Sequence, residues 1–204
     1  MKKILVVDFG SQYTQLIARR LRELSIYSEV CPWDEIPDLS DVQGFILSGG
    51  PESSNIEGNP SIHQHILDTK KPILGICYGM QVLAHQEKGK IINEGKREFG
   101  YAKIDIKQDS ILFKNFDKSS DVWMSHGDKV ESLPDGYTIT AVSNNSPIAA
   151  YENTEKKYFG LQFHPEVTHT ESGTTIIENF LESCDIKQNW SSDDILQQIN
   201  NLVT

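Results

Sequence analysis

The 204-residue chain has little that would place it in a membrane or on nucleic acid. Its longest apolar runs reach only about five residues, far short of the ~20 that a membrane-spanning helix needs. Lys2 and Lys3 precede the aliphatic stretch 4–7, which is too short for the apolar core of a secretion signal. The expected location is the cytoplasm, with no membrane partner. Positive charge is scarce: 19 basic residues face 29 acidic ones, for a formal net charge of -10. No Lys/Arg-rich run or basic-aromatic stripe occurs, which argues against nucleic acid as a partner. Three cysteines, Cys31, Cys77 and Cys184, stand far apart with no C-x-x-C pair, so a disulfide framework is disfavoured and one reactive thiol is left open. The phosphate-loop pattern G-x-x-x-x-G-K-[ST] is missing, as are internal repeats and low-complexity segments.

What is present alternates. Residues 4–7, 27–30, 44–47 and 73–76 read as short buried strands, with helices at 14–24 and 61–69 between them. In 14–24, Leu16, Ile17, Leu21 and Leu24 form an apolar stripe, while Arg19, Arg20 and Arg22 are polar positions. Such alternation predicts an α/β domain with an open, mostly parallel sheet and helices on both faces. After about residue 95 the texture changes to short segments, 101–106, 121–125, 137–142, 148–151 and 158–163, separated by turn residues. These are expected to form a smaller antiparallel section. A helix at 173–184 closes the domain, which is assigned to 1–184. Residues 185–204 read as a linker helix, with Ile195, Leu196, Ile199 and Leu202 as an apolar stripe lacking a partner in the first 184 residues.

The chemistry centres on Gly75-Ile76-Cys77-Tyr78-Gly79, between an apolar strand and a helix-forming stretch. Glycine two places before and after a central nucleophile is the pattern of a nucleophile elbow. At a helix N-terminus, exposed N–H groups and the helix dipole favour the thiolate. A cysteine nucleophile needs a base, and the base needs an orienting acceptor. His164-Pro165-Glu166 supplies both, on the expectation that residues two apart in extended backbone project to the same side. Attack on a carbonyl also calls for an oxyanion hole. Tyr78 N–H is one candidate donor, and Ser48-Gly49-Gly50-Pro51, directly after a strand, is a second source. A metal reading of His63 and His65 with His85, His126 or His169 is set aside: residues two apart on a helix do not share a face, and no carboxylate or cysteine set accompanies them.

The order Gly-Gly-Pro, Gly-x-Cys-x-Gly-x-Gln, then His-Pro-Glu resembles the class I glutamine amidotransferases over residues 1–184. The segments 8–20 and 164–170, with 123–128 agreeing, are similar to the amidotransferase part of the GMP synthetase branch. The resemblance implies a flavodoxin-like scaffold and hydrolysis of glutamine through a γ-glutamyl thioester on Cys77, with His164 and Glu166 completing the triad. It implies Gly50 and Tyr78 as oxyanion donors, and Gln81 with the Ser125, His126 and Gly127 backbone as the binding site for the amino-acid end of glutamine. Where carbamoyl-phosphate relatives have Asn, this chain has Ser125. The resemblance further implies that ammonia passes to an ATP-pyrophosphatase (synthetase) domain that aminates xanthosine monophosphate. ATP and Mg are expected only on that domain, and no cofactor or metal in this chain. A freestanding γ-glutamyl hydrolase and a catalytically silent binding module on the same fold are the alternatives.

Overall fold

The structure, a computed structural model, describes residues 1–51, 53–54, 56–191 and 193. The stripe expected at Ile195 to Leu202 lies outside the described residues. The elements run β1 (Lys3–Asp8), α1 (Thr14–Glu23), β2 (Ser28–Pro32), β3 (Val42–Leu47), α2 (Gln64–Asp68), β4 (Ile73–Ile76) and α3 (Tyr78–Gln86). They continue through β5 (Lys90–Ile106), β6 (Ser119–Ser132), β7 (Thr138–Ser143), β8 (Ala150–Asn153), β9 (Tyr158–Leu161) and α4 (Gly173–Ser183).

Among the described residues the nine strands join one sheet in the order β2-β1-β3-β4-β9-β8-β7-β5-β6. Alternation along the buried strands decides which helix covers which face. Ile4 and Val6 point into a cluster with Ile17 and Leu21 of α1 and with Ile176 and Phe180 of α4. Leu5 and Val7 point the other way, to Ile66 of α2 and to Met80 and Leu83 of α3. A strand whose residues all face apolar neighbours has no polar positions, which is why these strands read as continuous aliphatic runs. Among the described residues no helix is long and apolar enough to cross a membrane.

Three expectations are corrected. Residues 158–163 were expected in the antiparallel section, but β9 pairs in parallel with β4, from Ile73↔Tyr158 to Ile76↔Leu161, and is antiparallel only to β8. The antiparallel strands therefore extend the parallel sheet at β9. The strands expected at 101–106 and 121–125 are the ends of a long ribbon: β5 pairs with β6 from Lys90↔Ser132 to Asp105↔Ser119, with an irregularity between Asn93 and Glu98. That irregularity absorbs the turn-like Asn93-Glu94-Gly95 without ending the strand. The helix expected over 61–69 is shorter, because His63 caps it: the side chain accepts from His65 N–H at 3.2 Å.

Beyond α4 the chain turns back onto the sheet edge. Ile186 joins the α1–α4 core cluster, and Asn189 accepts from Tyr27 N–H at 2.9 Å while its Nδ2 donates to the Lys2 carbonyl at 2.6 Å.

Candidate active site

In an open parallel sheet, ligands bind beyond the carboxyl ends of the strands. Here β1, β3, β4 and β9 end at Asp8, Leu47, Ile76 and Leu161, and the segments that follow carry Gly49-Gly50, Cys77 and His164.

Cys77 has φ 53° and ψ -107°, a conformation costly for any residue with a Cβ. Close packing on either side maintains it. A Cβ at Gly75 would lie 2.6 Å from the carbonyl carbon of Gly79, and one at Gly79 would run into the Leu47 carbonyl oxygen. Strand β4 and helix α3 thus approach to backbone contact, and Cys77 N–H donates to the Leu161 carbonyl at 2.7 Å. The thiol is lifted over the sheet edge, 3.3 Å from the carbonyl oxygen of Ser125, and its interaction with His164 favours the charged imidazole.

The imidazole of His164 is almost wholly buried. Its Nδ1 lies 2.7 Å from Glu166 Oε1. The Tyr13 ring packs edge-on against it at 5.1 Å, and the backbone at Gly49 lies so close that a Cβ there would sit 3.2 Å from His164 Cε1. Burial alone would discharge the ring. The Glu166 carboxylate, the hydrogen bond with Cys77 and the bond to Glu166 outweigh it, so the pKa of His164 stands well above the ordinary histidine value.

His164 and Glu166 do not meet along a strand, as expected from extended spacing. Strand β9 ends at Leu161, and the pair is brought together in the turn that follows. Distant residues hold that turn. Thr170 Oγ1 donates to the His164 carbonyl at 2.6 Å and accepts from Trp123 N–H at 3.0 Å. His164 N–H donates to the Trp123 carbonyl at 3.0 Å, and Arg20 Nε donates to the Glu166 carbonyl at 2.9 Å.

Cys77 opens into a cavity of about 540 Å³. Of the expected residues, Gly50, Gln81, Ser125, His126 and Gly127 line it, and Tyr78 begins helix α3 beside it. Gln81 is buried, with Nε2 donating to the Asp128 carbonyl at 2.8 Å. The His126 ring is held with Nδ1 2.9 Å from the Asp128 carbonyl and Nε2 3.0 Å from Glu98 Oε2. Burial draws the pKa of His126 down, against the raising influence of the Asp128 carbonyl and Glu98.

The cavity also holds side chains that sequence reasoning missed. Asp128 is buried at its wall, and its carboxylate accepts from Asn93 Nδ2 at 2.6 Å and from Ser53 Oγ. Arg97 lies exposed at the rim. The one sequence signal for Asp128 was its place directly after Ser125-His126-Gly127. Among the described residues no group of three or more His, Cys, Asp or Glu is arranged to hold a metal ion.

The family description "glutamine amidotransferase class-I" matches residues 5–184, most of the chain. The chain belongs to the class I glutamine amidotransferases. It is 48% identical over 200 residues to "GMP synthase [glutamine-hydrolyzing]" of Vibrio vulnificus, covering 96% of this chain and 39% of that relative. The chain therefore spans about two fifths of the length of the curated relatives it matches. A crystal structure of a "putative gmp synthase subunit a" from Thermoplasma acidophilum superposes with a TM-score of 0.79 at 30% identity, covering 97% of this chain and 98% of that one. A glutamine amidotransferase from Thermotoga maritima, with a TM-score of 0.68 at 20% identity over 98% of this chain and 85% of that one, shares the fold.

Proposed function

We propose that this amidotransferase hydrolyses glutamine at Cys77 and supplies ammonia to a synthetase that makes GMP. The observation that carries the reading is the strained Cys77, which interacts with a buried His164–Glu166 pair and opens into a cavity with a buried carboxylate on its wall.

In this reading the Cys77 thiolate attacks the side-chain amide carbon of glutamine. The C=O electron pair moves onto oxygen, beside the Gly50 and Tyr78 backbone N–H groups. His164, protonated in the resting site, delivers its proton to the amide nitrogen, the C–N bond breaks and ammonia leaves. A γ-glutamyl thioester remains. Water then gives a proton to His164 as its oxygen attacks the thioester carbon, and glutamate departs from the regenerated thiolate. Glu166 keeps the imidazole oriented and stabilises its charge. Gln81 and the Ser125, His126 and Gly127 backbone shape the cavity around the amino-acid end of the substrate.

Asp128 belongs to that machinery. A buried carboxylate with lone pairs beyond those used by Asn93 and Ser53 complements the α-ammonium of glutamine, and Arg97 at the rim complements the α-carboxylate. Asp128→Asn keeps the shape and removes the charge. A charge-assisted hydrogen bond contributes about 1.5–3 kcal/mol, so KM for glutamine should rise roughly 10- to 100-fold with kcat changed far less. Initial rates of glutamate formation across glutamine concentrations test this, and an unchanged KM would remove Asp128 from the substrate site.

The synthetase partner is inferred from the relatives, of which this chain covers 39%. In such an enzyme ATP and Mg belong to the synthetase part, where xanthosine monophosphate is activated for amination, in the cytoplasm. Glutamine turnover by the chain alone should be weak and should rise when a loaded synthetase is added. Strong turnover that a loaded synthetase leaves unchanged would favour a freestanding γ-glutamyl hydrolase.

A further inference from the structure

One face of the β5–β6 ribbon carries aromatic side chains where a solvated surface would carry polar ones. Phe99 and Tyr101 are 71% and 68% exposed, the highest values among the exposed large hydrophobic side chains described. Residues two apart on a strand share a face, and across the ribbon Phe99 pairs with Ser125 and Tyr101 with Trp123. The rings form a connected platform. Tyr101 meets Trp123 at 5.4 Å, Phe99 meets Trp123 at 6.2 Å, and the exposed His169 lies against Trp123 at 4.5 Å and Tyr101 at 5.8 Å.

The platform is tied to both halves of the site. Phe99 lines the cavity that contains Cys77, and the Ser125 carbonyl opposite it lies 3.3 Å from the thiol. The Trp123 carbonyl accepts from His164 N–H, and the loop that carries His169 also carries Thr170, which clamps His164. Arg97 and Lys103, both exposed, flank the aromatic residues on β5, in a chain of net charge -10.

We infer that Phe99, Tyr101, Trp123 and His169 form the face on which the synthetase part docks. This rests on the reading of the chain as an ammonia-producing partner. Clustered, exposed aromatic residues are the composition of an interface centre. The matched relatives carry about three fifths of their length beyond the region this chain covers, and ammonia formed at Cys77 must leave through a cavity whose rim this platform shares. A second copy seated here would crowd the same opening without offering an acceptor. The contacting surface of the synthetase should be apolar at its centre.

Tyr101→Glu tests the assignment, because Tyr101 projects into solvent and lies outside the cavity wall. The synthetase part of the Vibrio vulnificus relative, made as a separate polypeptide, serves as the probe, with ATP, Mg and xanthosine monophosphate. Association is read by sedimentation and glutamine hydrolysis by glutamate release. Tyr101→Glu alone should hydrolyse glutamine within about twofold of wild type, whereas association and stimulation should fall at least tenfold; Tyr101→Phe should keep both. Full stimulation of Tyr101→Glu would move the docking face elsewhere and leave the proposed function standing. A wild-type chain that neither binds nor responds to the synthetase would overturn the function reading and the docking face with it. Self-association of the wild type that Tyr101→Glu dissolves would assign the platform to a second copy and overturn the proposal.

Discussion

Cys77→Ala is expected to lower glutamine hydrolysis by at least about 10⁴-fold while leaving the chain folded. Removing the nucleophile of a triad typically costs several orders of magnitude, because the other members act only through it. What remains is binding and the oxyanion donors, neither of which can form a thioester. The same position also carries a backbone cost that can be separated from the chemistry. Cys77 sits at φ 53° and ψ -107°, where a Cβ is unfavourable by about 1–3 kcal/mol. Alanine keeps that Cβ and glycine does not. Cys77→Gly should therefore be as inactive as Cys77→Ala yet melt several degrees higher, since 1 kcal/mol corresponds to roughly 2–4 °C in a domain of this size. Glutamate release and thermal melting of the two variants check both halves. Residual turnover within tenfold of wild type would exclude thioester formation at Cys77, and equal melting temperatures would show that the elbow is not strained.

The elbow was readable in the sequence because its requirements are local. Two glycines at fixed offsets are what a strand and a helix need to touch, and Gly75 against Gly79 and Gly79 against Leu47 make those contacts. The His164–Glu166 pairing was readable for a chemical reason, although the backbone reason was wrong: a turn places them together. What could not be read depends on separations of tens of residues. Whether β9 runs parallel or antiparallel to a neighbour depends on β4, about 85 residues earlier, and a four-residue apolar strand looks the same in either setting. Likewise the Arg20 bond to the Glu166 carbonyl spans 146 positions. Asp128 was passed over because its place after Ser125-His126-Gly127 says nothing of what its carboxylate meets. Its role follows from Asn93 and Ser53, which the fold brings to its carboxylate from β5 and from the segment after Gly50.

Glu166→Gln should change both turnover and the pH dependence of stability, and the two effects share one cause. The raised pKa of His164 arises against burial, through the Glu166 charge and the bonds to Cys77 and Glu166. A histidine whose folded pKa exceeds its unfolded value stabilises the fold fully below about pH 6.5. That contribution is lost as pH rises through the elevated folded value. The wild type should therefore lose this increment only on the alkaline side. Glutamine at 166 leaves burial opposed only by Cys77, so the ring discharges at lower pH and the increment should already be gone near neutrality. Turnover should fall about 10²- to 10⁴-fold, because imidazolium is the proton donor of acylation and forms again during hydrolysis, and in the variant it lacks its counter-charge. The measurements are kcat/KM and the denaturant midpoint from pH 6 to 10 for both proteins. A variant whose stability profile parallels the wild type would mean that Glu166 does not set the charge of His164. In that case the 2.7 Å contact between them would only orient the ring.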